Sequence, residues 1–200
     1  MQFMDTQLFV GLTGFAFVSS ITPGPNNMML MASGANFGIR RTVPHMLGVS
    51  IGFTLMIVIV GAGLLGLFTA WPYAFTMLKV VSAAYLLWLA WKIATTPPPS
   101  QDANQATGKP MSFFQAAAFQ WVNPKAWTMA LTALTVYTGT QELASVLIVA
   151  AVFGAINLPT VGVWAYLGQY IQRWLTSDKS RRMFNWSMAA LLVGSLLLAI

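Results

Sequence analysis

Ser19-Ser20-Ile21-Thr22-Pro23-Gly24-Pro25-Asn26-Asn27 interrupts an apolar run that extends over residues 8–33. Pro23 and Pro25 each lack a backbone N–H and clash with the preceding turn, while Gly24 relaxes the chain between them. A continuous helix does not survive such a stretch. The carbonyls of Ser19 and Ile21 lose their usual partners, which is costly in hydrocarbon unless other donors replace them. Thr22 reads as the cap of a new half-helix, with proline at its first position. The N-terminus of that half-helix carries partial positive charge and free N–H groups, so it can hold a carboxylate. A proline kink used only for packing is the bland alternative. Pro-Gly-Pro followed by two asparagines exceeds what a kink requires.

The surrounding composition identifies the solvent. Of 200 residues, 57% are hydrophobic and 7% are charged, whereas a soluble domain is roughly 25% charged. Ten basic and four acidic side chains cannot cover a soluble surface of this size. Crossing the hydrocarbon core takes about 20 apolar residues. Six stretches are read as spans: 8–33, 44–68, 73–91, 113–137, 143–168 and 183–200. The expected fold is therefore an all-α integral membrane protein of six transmembrane helices, solvated by a lipid bilayer. A soluble helical core is the alternative, and six consecutive runs with almost no polar face argue against it. The N-terminus has no basic segment before its first charge, Asp5, so it is read as a retained span and not as a cleaved signal peptide.

The linker TTPPPSQDANQATGKP, residues 95–110, is rich in proline and polar groups. It divides the chain into a first half, 1–94, a cytoplasmic connection, 95–112, and a second half, 113–200. Three spans per half make the second half enter the membrane in the opposite sense, which is the topology of a 3+3 inverted repeat. The first span of the second half contains Gln120-Trp121-Val122-Asn123-Pro124-Lys125. It too combines a proline, polar residues and an expected break, so the first and fourth helices are both expected to be broken. Eight of the ten basic residues (Arg40, Arg41, Lys92, Lys109, Arg173, Lys179, Arg181 and Arg182) fall in three connections on one side. The opposite side holds Asp5, the 70–72 turn, Glu142 and the C-terminus. The positive-inside rule then places both termini in the periplasm of a bacterial inner membrane.

Lys125 lies about 18 Å into its span at 1.5 Å per residue, near the bilayer centre, where an ionisable group is expensive and usually functional. An ammonium there can bind a substrate carboxylate; the alternative is a lysine that snorkels or pairs with backbone carbonyls. Lys79 is open to both readings, since it can reach the outer interface. Asn157-Leu158-Pro159-Thr160 is read as a third break, with Asn157 offering both donor and acceptor and a packing role equally open. His45 offers a titrating group, but as a helix-end histidine beside Arg41 it is read as interfacial. Gly34, Gly38, Gly48 and Gly52 form two small-xxx-small pairs and are read as packing sites.

Several classes are excluded or weakened. There is no cysteine and one histidine, so thiolate chemistry and a histidine-pair haem are impossible, and no cofactor or metal is called for. No acidic residue lies deep in a span, which removes paired-carboxylate catalysis and disfavours lysine or arginine as solutes. No phosphate-binding loop argues for a primary pump. The net charge of +6 sits in short loops and not in a patch, so nucleic acid is not the partner. What remains is a secondary transporter; a membrane-embedded enzyme or a structural membrane subunit are the alternatives.

Residues 19–53, SSITPGPNNMMLMASGANFGIRRTVPHMLGVSIGF, closely resemble the N-terminal signature of the LysE/RhtB family of amino-acid exporters. Residues 82–97, SAAYLLWLAWKIATTP, and 109–127, KPMSFFQAAAFQWVNPKAW, fit the same family. Pro25-Asn26-Asn27 and the 83–95 segment look most like the branch that exports cysteine and O-acetylserine. The resemblance implies efflux of a small neutral amino acid or derivative from the cytoplasm, by proton antiport. The candidate substrate site comprises Thr22, Pro23, Gly24, Pro25, Asn26, Asn27, Asn123, Pro124 and Lys125, with Lys79 and Asn157 as outer members.

Overall fold

The computed structural model describes residues 5–64, 73–96, 109–138 and 143–197. These form helices and short links, with no strand among the described residues. Helix α1 (Thr6–Ile21) and α2 (Pro25–Phe37) are bent by 52° at the interruption. Helix α3 (Ile39–Ile59) follows and runs into a π turn, Val60–Leu64. Helix α4 (Tyr73–Ala94) completes the first half. In the second half α5 (Phe113–Phe119) tightens into a 3₁₀ turn, Gln120–Val122, and breaks at Asn123 before α6 (Pro124–Tyr137). Helices α7 (Leu143–Gln172) and α8 (Asp178–Leu197) follow. Both expected breaks are present. Three stretches, Ile39–Gly63, Thr76–Ala94 and Leu143–Gln172, are each long and apolar enough to cross a membrane, and α1 with α2 makes a fourth if the bent pair is one span.

Several expectations need correction. Residues 157–160 do not break α7, which continues through Pro159. A single proline removes one helical hydrogen bond, whereas Pro23 and Pro25 remove two on either side of a glycine. Helix α3 begins at Ile39 and not near 44, so Arg40 and Arg41 occupy its first turn. Gly38 alone joins α2 to α3, with φ +76°, a conformation other L residues rarely adopt. It is a turn residue, not half of a packing pair. Helix α8 starts at Asp178, ahead of the expected 183, because Ser177 caps it: the Ser180 N–H donates to Ser177 Oγ at 3.1 Å. The 70–72 turn, Glu142, and Asp102 with most of the linker lie outside the described residues.

The bundle is held by close backbone approach. Lipid tails are as apolar as leucine, so helix association in a bilayer relies on packing of small residues. Helix α2 lies on α7 through a reciprocal contact. A Cβ added to Gly34 would sit 2.0 Å from the Ala165 carbonyl oxygen, and one added to Gly168 would sit 2.0 Å from that of Met31. Gly48 and Gly52 of α3 receive α5 in the same way, against Phe113 and Ala117. Helix α1 also packs on α7, α3 on α7, and α4 on α8. Phe53 and Phe153 meet edge to face with ring centroids 5.4 Å apart, anchoring the apolar core below the first break.

Candidate functional site

The break between α1 and α2 leaves five consecutive carbonyls without ordinary helical partners, and every one is satisfied by a side chain. Ser19 O accepts the Thr22 hydroxyl at 3.0 Å. Ser20 O accepts Asn27 Nδ2 at 2.9 Å, and Ile21 O accepts the Trp164 indole N–H at 3.0 Å. Thr22 O accepts both Asn27 Nδ2 at 2.7 Å and Lys125 Nζ at 2.7 Å. Pro23 O accepts Lys125 Nζ at 3.3 Å. Backbone acceptors freed inside a bilayer must be paired. Ser20 is buried, whereas Thr22 and Pro23 are exposed. Apart from the Thr22 hydroxyl, the donors come from α2, α6 and α7.

Lys125 is the joint between the two breaks. It stands in the first turn of α6, capped by Asn123, whose Oδ1 accepts the Lys125 N–H at 3.1 Å. A cation is unfavourable at that end of a helix dipole and favourable at the opposite end of another. Its ammonium accordingly leaves α6 and sits at the C-terminus of α1. There it donates to Thr22 O, to Pro23 O and, at 2.9 Å, to Thr22 Oγ1. An ammonium has three hydrogens, and three acceptors take them. Lysine pairing with backbone carbonyls, one of the two readings left open by the sequence, is therefore what the geometry contains. Gly24 makes room for it, since a Cβ there would lie 2.6 Å from Lys125 Cδ.

Two sequence assignments change. Thr22 does not cap α2: Gly24 occupies the N-cap, and the Thr22 hydroxyl turns back to Ser19 O and to Lys125. Lys79 does not join the site. It is exposed and borders a separate cavity of about 80 Å³ with Ser82, Pro124 and Thr128. Most of the remaining candidates converge, while Pro124 lines the cavity beside Lys79. Asn26, Asn27, Gly24, Asn123, Lys125 and Asn157 line one small cavity. Pro23 and Pro25 flank it through the chain.

The sequence reading missed Gln120, Ser20 and Trp164. Gln120 is fully buried and forms a reciprocal amide pair with Asn26, at 2.9 and 3.1 Å. A glutamine inside an apolar span, three residues before Asn-Pro, is a legible signal for it. Asn157 Nδ2 donates to Ser20 Oγ at 3.2 Å, while its buried Oδ1 has no partner among the described residues. The cavity has about 20 Å³ of free volume, room for one water and not for an amino acid. This conformation is closed around the breaks. No three His, Asp or Glu side chains come together among the described residues, so none could hold a metal.

Residues 17–199 match the model of the LysE type translocator family. The chain is 34% identical over 192 residues to the cysteine/O-acetylserine efflux protein of Escherichia coli strain K12, covering 95% of this chain and 96% of that protein. The same-named protein of Shigella sonnei strain Ss046 gives the same figures, and that of Shigella flexneri is 34% identical over 181 residues, 90% of each chain. No solved structure matches. A broken, lysine-bridged helix pair in an all-helical membrane bundle and a family match over nearly the whole sequence lead to one assignment: the chain belongs to the LysE type translocator family.

Proposed function

We propose that this protein is a secondary transporter, not an enzyme, that exports a small neutral amino acid or derivative, of the cysteine or O-acetylserine kind, from the bacterial cytoplasm by proton antiport. The relatives' names support amino-acid efflux. The observation that carries the mechanism is the Lys125 ammonium spanning from one broken helix to the carbonyls of the other. A zwitterion can supply an ammonium for the same carbonyls and a carboxylate for Lys125. Its ammonium takes the Thr22 and Pro23 carbonyls and the open Asn157 Oδ1, and its carboxylate takes the released Lys125 and the N–H groups at the start of α2 and α6. Substrate binding thus exchanges an internal latch for an equivalent external one.

The packing supports alternating access between two inverted halves. Helix α1 lies on α7 as α5 lies on α3, the arrangement a repeat of three helices would give. The second half-helices differ: α2 is docked tightly on α7, while α6 makes few contacts with α3. Undocking α2 and docking α6 would open the opposite face. In this reading the chain crosses the membrane six times with both termini periplasmic. Cysteines placed in the 95–110 linker and at Lys179 are expected to react from the cytoplasmic face. Those near either terminus should react from the periplasmic face. Labelling of Asp5→Cys and the linker from the same side would refute six crossings.

Substrate charge is the second consequence. Among the described residues no acidic side chain lines the cavity between the breaks, so none of them compensates a cationic side chain there. In proteoliposomes, small neutral amino acids are expected to compete with labelled O-acetylserine at least tenfold more effectively than lysine or arginine. Saturable lysine transport at comparable concentration would overturn the assignment of substrate class.

A further inference from the structure

The two breaks are joined through matching positions. A proline opens the second half-helix in each half, Pro25 for α2 and Pro124 for α6. The residue after each proline crosses to the other break. Lys125 reaches Thr22, at the end of α1, and Asn26 reaches Gln120, in the 3₁₀ turn that ends α5. Both side chains line the cavity between the breaks. One cavity is thus faced by a cation from the second half and a neutral amide from the first.

Asn26 bonds only Gln120. Its Nδ2 donates to Gln120 Oε1 at 2.9 Å, and its Oδ1 accepts from Gln120 Nε2 at 3.1 Å. A side-chain amide has two donor hydrogens and two acceptor lone pairs, so Asn26 keeps one of each. The other asparagines of the cavity have tasks. Asn27 bonds the Ser20 and Thr22 carbonyls, and Asn123 caps α6. Asn157 donates to Ser20 Oγ and, in the export reading, serves the substrate ammonium. These three are buried, whereas Asn26 is half-buried.

Gln120 fixes which way the Asn26 amide faces. Its Nε2 also donates to Ala116 O at 2.9 Å. A backbone carbonyl only accepts, so the nitrogen of Gln120 must lie on that side and its oxygen on the other. The reciprocal pair then places the Asn26 oxygen against Gln120 Nε2 and the Asn26 nitrogen against Gln120 Oε1. Gln120 is 0% exposed, so it meets no ligand itself. A buried amide is costly unless fully bonded, and an apolar residue would pack as well in this span. What the glutamine adds is an Asn26 with one defined donor edge and one defined acceptor edge.

We propose that Asn26, held by Gln120 as a positioning residue, reads the neutral polar group of the substrate side chain: a hydroxyl, thiol, ester or amide that meets the spare Nδ2 hydrogen or the spare Oδ1 lone pair. The proposal rests on the export reading above and deepens it. Lys125 and the carbonyls of the break take the groups common to all amino acids, and Asn26 takes the group that distinguishes one from another.

The test compares two solutes of one shape in proteoliposomes that carry the full chain. O-Acetylserine is one; homoleucine, with carbon in place of both side-chain ester oxygens, is the other. The readouts are the KM for labelled O-acetylserine and the inhibition constant of homoleucine against it. The unaltered protein should favour O-acetylserine by about tenfold or more, since a site that hydrogen-bonds a group rejects the analogue lacking it. Gln120→Met keeps the volume and removes the amide. It should raise the KM for O-acetylserine about three- to tenfold and move the homoleucine constant less than about twofold. Asn26→Leu combined with Gln120→Met removes both partners, leaves no buried amide unpaired, and keeps the measurement possible if the single variant does not fold. It should bring the two constants together. Lys125→Met, by contrast, should raise both constants, because both solutes carry the carboxylate. A ratio that stays unchanged in Gln120→Met or in the double variant, whether neither constant moves or both move alike, overturns the assignment of Asn26 while export stands. So does a lack of preference in the unaltered protein. Absence of flux of O-acetylserine and of other neutral amino acids in the unaltered protein would overturn the export reading itself.

Discussion

Lys125→Met is expected to lower export at least tenfold at equal expression. The substitution keeps length and removes the charge, so the ammonium no longer reaches Thr22 O, Thr22 Oγ1 and Pro23 O. A charge-assisted hydrogen bond is worth about 1.5–3 kcal/mol, which corresponds to about ten- to a hundredfold in rate. Folding should survive. A lysine at a helix centre costs about 2.5–3.5 kcal/mol on insertion scales, and Asn27 still donates to the Thr22 carbonyl. Lys79→Met is the control, since that lysine is exposed and apart from the site. Gly24→Ala approaches the same contact from the other partner. Its Cβ would displace the flexible lysine, 2.6 Å away, without touching the charge. It should reduce flux in the same direction with the fold intact. Normal flux in Lys125→Met would show that the lysine only plugs broken backbone, and the latch mechanism would fall with it.

The largest structural effect is expected at the α2–α7 contact. Gly34→Ala and Gly168→Ala each place a methyl group 2.0 Å from a helical carbonyl oxygen. Neither oxygen belongs to a flexible side chain, so the two helices must separate. Overpacking costs about 1–3 kcal/mol and occasionally more, and a clash with rigid backbone belongs at the upper end. Each variant should show a lower melting temperature in detergent and a smaller monodisperse fraction. Because both contacts hold one interface, the double variant should cost less than the two losses added. Gly14→Ala, whose Cβ would meet nothing within 4 Å, should melt at or slightly above the original temperature. A Gly168→Ala protein with unchanged melting would mean that α2 and α7 do not pack in this register.

Both helix breaks were legible in the sequence because their cause is covalent and local. A proline has no N–H in any fold, and Pro23 and Pro25 deprive Ser19 and Ile21 of donors wherever the chain goes. The membrane solvent was legible because fourteen charges in 200 residues is a property of the whole chain. Which donors repair the breaks was not legible. Trp164 reaches Ile21 and Lys125 reaches Thr22 across more than a hundred residues of chain, and no local periodicity states which helix faces which. The same holds for the small residues. Gly34 and Gly38 are equivalent in a small-xxx-small pattern, yet Gly34 receives Ala165 while Gly38 turns the chain. His45 lay beside Arg41 and a proline and read as a helix end; only the packing of α3 against its neighbours buried it. Local covalent limits determine where a chain in lipid must break, and the meeting of distant surfaces decides what fills each break, since hydrogen bonding and steric contact depend on distance in space and not along the chain.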